Sequence, residues 1–97
     1  MINKSKVIQI IAMARLGRRE RLEALIAEVS ASELACALAR LPGQEQLDML
    51  EIMDEPTRQA TLLALDYADW IRLVDTTGPF NRHLVDHGHI QASDAHD

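Results

Sequence analysis

Five acidic side chains near the middle of the chain could together bind a divalent cation. Three follow one another at intervals of three residues and two come directly after them: Glu45, Asp48, Glu51, Asp54 and Glu55. Carboxylate oxygens are the ligands that Mg²⁺ accepts, usually one or two of them together with several waters. We favour a solvated helix face, with Asp54 and Glu55 stabilising the N-terminus of the next helix. The alternative is a weak site for a divalent cation such as Mg²⁺ that is shared with a partner.

Four histidines near the C-terminus could bind a transition metal. On a helix, His83 and His87 would be four residues apart, a spacing at which two imidazoles can chelate one ion, and His89 and His96 follow them. The surrounding sequence is polar, has no helical period and is interrupted by glycine and proline, whereas a metal site needs fixed geometry. We therefore predict a partly disordered tail over residues 79–97, with a histidine metal site as the alternative.

A basic cluster near the N-terminus could contact a partner, and it consists of Arg15, Arg18, Arg19 and Arg21. Residues 1–21 hold six basic residues and one acidic residue, whereas the rest of the chain holds four basic and fourteen acidic residues. The cluster could bind an acidic protein or a lipid head group. Alternatively, it is a solvated rim, or it pairs with the acidic half of the same domain. Because the formal net charge is -5, no nucleic-acid partner is expected.

The sequence contains no arrangement of residues that is typical of an enzyme. Histidine, the usual base of acyl transfer, occurs only near the C-terminus, and the four glycines are isolated, so no glycine loop could bind a phosphate. Cys36 is the single cysteine, which favours a reducing compartment and hence the cytoplasm. No apolar run approaches the roughly 20 residues that cross a bilayer. We predict a non-enzymatic protein that needs no cofactor, with weak Mg²⁺ binding as the exception.

Six short helices must position these residues. Aromatic residues make up only 3% of the chain, so the core is expected to be aliphatic, which suits helices better than sheets. Gly17 is expected to end the first helix, Ser30 and Glu33 to form a capping box on the third, and Pro42 and Gly43 to end it. Apolar residues three and four apart predict the inward faces of the first four helices: Val7, Ile10, Ile11 and Ala14; Leu22, Leu25, Ile26 and Val29; Leu34, Leu38 and Leu41; and, in a helix over residues 44–53, Leu47, Leu50 and Met53.

The last two predicted helices begin at acidic capping residues. Asp54 with Pro56 marks the start of the fifth helix, and Asp66 with Asp69 marks the start of the sixth. Such short helices are marginally stable alone, so their stability must come from packing. The predicted inward residues are Ala60 and Leu63 in the fifth helix, with Leu62 and Leu65 at its margins, and Tyr67, Trp70, Ile71 and Val74 in the sixth.

A weak internal repeat relates the third and fourth helices to the fifth and sixth. A shift of 24 residues is typical of a solenoid, in which helical hairpins bury their faces on one another. This shift superimposes four pairs of apolar residues: Leu38 on Leu62, Leu41 on Leu65, Leu47 on Ile71 and Leu50 on Val74.

The pattern of leucine, alanine and helix-breaking residues over about residues 10–77 resembles the N-terminal domain of MgtE-type magnesium transporters. The resemblance lies in these residues: Gly17, Leu22, Leu25, Ile26 and Val29; Ser32, Glu33, Leu34, Ala35, Leu38, Leu41 and Pro42; Gln44, Glu45, Leu47 and Leu50; and Asp54, Ala60, Leu63, Leu65 and Asp66. It implies a right-handed superhelix of short α-hairpins, similar in shape to parts of the flagellar motor switch protein FliG. In the transporters, magnesium binding between this acidic domain and a following pair of CBS modules keeps the pore closed.

The combined prediction is an all-α domain of about six helices over residues 1–78, followed by the tail. We expect a cytoplasmic regulatory module that binds another protein, which could be a second copy of itself, without a transmembrane segment. The interaction residues are expected in the basic cluster. The alternative function is a sensor of divalent metals that uses the acidic helix face or the histidines of the tail.

Overall fold

The computed structural model describes residues 2–78, and all regular secondary structure within that range is helical. The predicted all-α fold with six helices is therefore confirmed. The histidines and the tail predicted over residues 79–97 lie outside the described residues. The helices are α1 (Lys4–Leu16), α2 (Arg19–Glu28), α3 (Ala31–Arg40), α4 (Gly43–Ile52), α5 (Glu55–Ala64) and α6 (Tyr67–Thr77).

Local side-chain chemistry sets most of the helix ends. Gly17 ends α1 with a φ of 71°, a left-handed conformation that glycine adopts at little cost. Asp54 and Asp66 cap α5 and α6, because each carboxylate accepts a hydrogen bond from the backbone N–H three residues on. Ser30 and Glu33 form the predicted capping box at the start of α3.

Glu33 also ties the N-terminal segment to α3. Its carboxylate accepts hydrogen bonds from the backbone N–H groups of Ser30, at 2.8 Å, and Asn3, at 2.7 Å. These two bonds hold the pKa of Glu33 below its ordinary value, because they favour the ionised carboxylate. The bond from Ser30 has the larger effect on this pKa. The same residue that caps α3 therefore fixes the chain where α1 begins.

The helices form a stack of three hairpins: α1–α2 is the first, α3–α4 the second and α5–α6 the third. Helix α1 packs on α3 and α3 packs on α5, so that the odd-numbered helices form one row. In the other row α4 packs on α6, and α4 also contacts both α1 and α3. The row of odd-numbered helices is the one that the predicted repeat requires, whereas α2 packs less closely on α4 than α4 packs on α6.

The 24-residue repeat extends to all three hairpins, although sequence analysis found it in only two. Helices α2, α4 and α6 begin at residues 19, 43 and 67, and α1, α3 and α5 end at residues 16, 40 and 64. The buried positions recur at the same interval. Three sets of equivalent buried residues show this: Leu22, Gln46 and Trp70; Leu25, Met49 and Leu73; and, in the row of the odd-numbered helices, Leu38 and Leu62, both 0% exposed.

The predicted inward face of α5 was wrong. Leu62 is fully buried and Leu65 is 5% exposed, whereas Leu63 is 61% exposed and Ala60 is also exposed. Thr61 is fully buried beside Leu62, and its hydroxyl donates to a backbone carbonyl of the preceding turn. This bond allows a polar residue to occupy a core position. Because Thr61 and Leu62 lie on the buried side of α5, the apolar Leu63 lies on the surface.

The inward faces of α4 and α6 were only partly predicted. Trp70 in α6 is buried as expected, but Leu73 is buried as well, whereas Tyr67 is 64% and Ile71 37% exposed. In α4, Leu50 and Met53 are buried as predicted. Leu47 is only half-buried, and Met49 takes the fully buried position in its place. In each case an adjacent apolar residue offered a second acceptable helical face, and packing between hairpins selected one of the two.

Candidate interaction surface

The second hairpin contacts the third at Ala39 and Gly43, and Leu47 follows Gly43 at the same spacing of four residues. Ala39 and Gly43 line a cavity of about 240 Å³ that Asp69, Arg72 and Thr76 of α6 close from the other side. A Cβ atom added to Gly43 would lie 2.7 Å from Cγ2 of Thr76, so the two helices approach closely there. Leu47 packs half-buried against the core. We call these three the acceptor positions of a hairpin.

In the third hairpin the same acceptor positions are occupied by large apolar side chains. The 24-residue repeat places Leu63, Tyr67 and Ile71 there, and they are 61%, 64% and 37% exposed. These are three of the six large hydrophobic residues that are exposed among the residues that the structure describes. The Tyr67 ring also lies 5.9 Å from the Trp70 ring, which supports it from the buried side. We call this surface the acceptor face.

In the first hairpin the acceptor positions are all charged: Arg15, Arg19 and Glu23. The two arginines belong to the basic cluster. Arg19 and Glu23 form an ion pair at 3.4 Å. Arg18 and Arg19 line a cavity of about 260 Å³ that also includes Asp48 of α4. Two residues of the basic cluster therefore line the same cavity as an acidic residue of their own domain, and the pairing of the cluster with the acidic half stays a prediction.

Arg21 is exposed on α2, and it lines a cavity together with Arg18, Arg19, Glu20 and Ala24. Three of the four residues of the basic cluster therefore border one surface cavity. Arg15 is also exposed. The binding of a partner by the basic cluster stays a prediction.

Three of the five acidic side chains that were considered as magnesium ligands make hydrogen bonds within the protein. Asp54 caps α5, and hydrogen bonds from the side chain and the backbone of Thr57 hold the pKa of Asp54 below its ordinary value. Glu55 accepts a hydrogen bond from an amide side chain of its own helix, as does Asp48. Glu45 is half-buried and Glu51 is exposed.

No three side chains of the types that bind metals converge on one point within residues 2–78. The spacing explains this result, because successive residues at i, i+3 and i+6 drift around a helix by roughly 60° at each step. The magnesium site remains a prediction, with fewer ligands at any one point than the five-residue pattern indicated. The histidine site falls outside the described residues.

The acceptor face was not predicted, because the hydrophobic pattern assigned Leu63, Tyr67 and Ile71 to the core. A signal that could have revealed them is the full 24-residue repeat, which aligns them with Ala39, Gly43 and Leu47. Cys36 is half-buried.

Comparison of the chain with models of protein families, with curated proteins and with solved structures gives no match. The resemblance to the transporter domain therefore remains a prediction from the sequence pattern. Among the described residues, none of the helices has the length and apolar character needed to cross a membrane.

Proposed function

We propose that this chain is a non-enzymatic regulatory module of the cytosol that binds another protein through its acceptor face. The observation that carries the proposal is the exposure of Leu63 and Tyr67 at positions that, one hairpin earlier, line the contact with the next hairpin, with the exposed Ile71 one turn further along α6. Grouped exposed apolar side chains commonly mark sites of protein–protein contact. The sequence pattern that resembles the N-terminal domain of magnesium transporters supports a regulatory role.

The acceptor face suits a reversible contact. Complete burial of one large apolar side chain stabilises a complex by about 1.5–3 kcal/mol, and these three are already partly buried. Their sum is therefore on the order of 2–5 kcal/mol, which at most reaches the lower end of the cost of association. A partner must supply additional contacts around the face, so we expect the moderate affinity that is typical of regulatory complexes.

Site-specific photocrosslinking in the cells that make the protein tests the proposal. The photoreactive amino acid p-benzoylphenylalanine would replace Leu63 in one version of the chain and Ile8 in another. Both side chains are 61% exposed, but Ile8 lies on α1, away from the acceptor face. We expect the version labelled at position 63 to give a discrete adduct with a protein chain, and the version labelled at position 8 to give none.

Equal adducts from the two versions would contradict the proposal, because they would show crosslinking without a preferred surface. The absence of any adduct at position 63 would also contradict it. The mass of a discrete adduct distinguishes a second copy of this chain, with a mass of 10.9 kDa, from a different partner.

A further inference from the structure

We propose that the partner of the acceptor face is the first hairpin of a second copy, stacked head to tail so that the 24-residue repeat continues from one copy into the next. This inference rests on the proposed function and names the partner. The interface is of the kind that the chain makes where the third hairpin packs on the second, through α3 with α5 and α4 with α6; the first hairpin packs on the second mainly through α1.

The contact between the second and third hairpins shows which residues a hairpin presents to the hairpin before it. Ala64, Asp69 and Arg72 of the third hairpin line a cavity of about 510 Å³ against α3, on the side of Cys36 and Ala39. We call these three the leading positions. In the second hairpin one of the equivalent residues is Asp48, which faces the first hairpin in the same way.

The leading positions of the first hairpin are Leu16, Arg21 and Ala24, and all three are exposed. Leu16, at 68%, is the most exposed large hydrophobic residue of the described chain. Together with Leu63, Tyr67 and Ile71, it belongs to the six large hydrophobic residues that are exposed within residues 2–78. Four of these six therefore lie on the two surfaces that head-to-tail stacking would bury.

The charges of the two ends are complementary. Residues 4–28, which form the first hairpin, hold six basic and three acidic residues, whereas residues 55–78 of the third hairpin hold two basic and four acidic residues. Stacking brings Arg21 of one copy towards the end of the acceptor face where Asp66 precedes Tyr67. Opposite charges in such an arrangement fix the orientation of the partners and favour their encounter.

This contact joins two different surfaces, so it leaves one free surface of each kind on every pair. Such a heterologous interface produces open chains of copies unless its rotation closes a ring. The expected species is therefore a distribution whose average mass rises with concentration beyond that of a dimer. A closed dimer that uses the acceptor face of both copies would stop at two.

Sedimentation velocity of the purified full chain, from micromolar to millimolar concentration, tests the inference with three variants. Leu63→Arg blocks the acceptor face, and the double variant Leu16→Ser, Arg21→Glu blocks the leading positions. Ile8→Arg is the matched control, because Ile8 is as exposed as Leu63 and lies at neither set of positions. Circular dichroism would confirm that each variant keeps its helical content.

The wild-type chain and Ile8→Arg should self-associate equally, whereas each blocked variant should associate at least tenfold more weakly. An equimolar mixture of the two blocked variants should form a complex of one copy of each and nothing larger, since only one compatible interface remains. Raising the salt concentration should weaken the association of the wild-type chain.

A wild-type chain that stays at 10.9 kDa throughout would overturn the inference, as would blocked variants that fail to pair when mixed. If the purified chain is monomeric but position 63 still crosslinks to a different protein in cells, the proposed function stands without self-stacking. If neither association nor a crosslink is observed, both proposals fail.

Discussion

Two adjacent leucines in α5 provide a direct test of how the hairpins pack. Leu62 is 0% exposed and is among the largest fully buried side chains, whereas Leu63 is 61% exposed on the acceptor face. Replacing each with alanine removes the same atoms from the same helix, one residue apart. The two variants therefore have the same chemistry and similar helix propensity, and they differ only in what the leucine side chain contacts.

The structure predicts very different losses of stability for the two variants. Leu62→Ala should lower the free energy of unfolding by about 2–5 kcal/mol, because it removes buried contacts and leaves a cavity. Leu63→Ala should change it by no more than about 0.5 kcal/mol, since the side chain is mostly in solvent and alanine favours a helix. Because a domain of this size has a total stability of roughly 5–15 kcal/mol, the first loss is a large fraction of the whole.

Urea unfolding followed by circular dichroism at 222 nm would measure both losses. Leu62→Ala should shift the midpoint to a lower urea concentration with the slope unchanged, and heating should show a fall in Tm of roughly 4–8 °C per kcal/mol. A loss for Leu63→Ala that matched or exceeded the loss for Leu62→Ala would refute the packing described here. It would show that α5 buries the face that the sequence alone indicated.

Three further predictions concern a carboxylate and two glycines. Because the pKa of Glu33 is lowered in the folded state, its stabilising effect should be present above the unfolded value of about 4.5 and disappear as the pH falls through the folded value. The Tm of Glu33→Gln should thus lie below that of the wild type at pH 7, and the gap should narrow between pH 5 and pH 3; a gap independent of pH would contradict this. Gly17→Ala should cost about 1 kcal/mol in urea unfolding because of the positive φ, and Gly17→Asn should cost less, so equal losses would argue against a backbone cause. Gly43→Ala should destabilise the chain because the new Cβ meets Cγ2 of Thr76, and the effect should be smaller by about 0.5–1 kcal/mol in a Thr76→Ser background; strictly additive losses would show that the two residues do not touch.

The parts of the fold that depend on local chemistry could be predicted from the sequence. Gly17 ends α1, Ser30 caps α3, and Asp54 and Asp66 cap α5 and α6, because each role depends on one residue and its near neighbours. The inward faces of the first three helices were also predicted, and every residue assigned to them is buried or half-buried.

The inward face of α5 could not be predicted in this way. Leu62, Leu63 and Leu65 allow two helical faces, and the choice depends on contacts with α3, which lies 24 residues earlier. The buried Thr61 carries no hydrophobic signal, because its hydroxyl is satisfied within the helix. A hydrophobic pattern therefore favoured the wrong stripe.

The acceptor face was missed for the same reason. An apolar residue at helical spacing is assigned to the core by default, and only the arrangement of hairpins shows that Leu63 and Ile71 lie beyond the last contact between the described hairpins. The first copy of the repeat was missed because equivalent positions differ in chemistry. Leu22 corresponds to Gln46 and Trp70, and all three are buried.

The most direct test of the central claim is the pair of photocrosslinking experiments at positions 63 and 8. We predict a discrete adduct with a protein chain when the reactive group replaces Leu63, and no adduct when it replaces the equally exposed Ile8. An adduct at position 8 of equal yield, or no adduct at position 63, would contradict the claim that this chain binds a protein through its acceptor face.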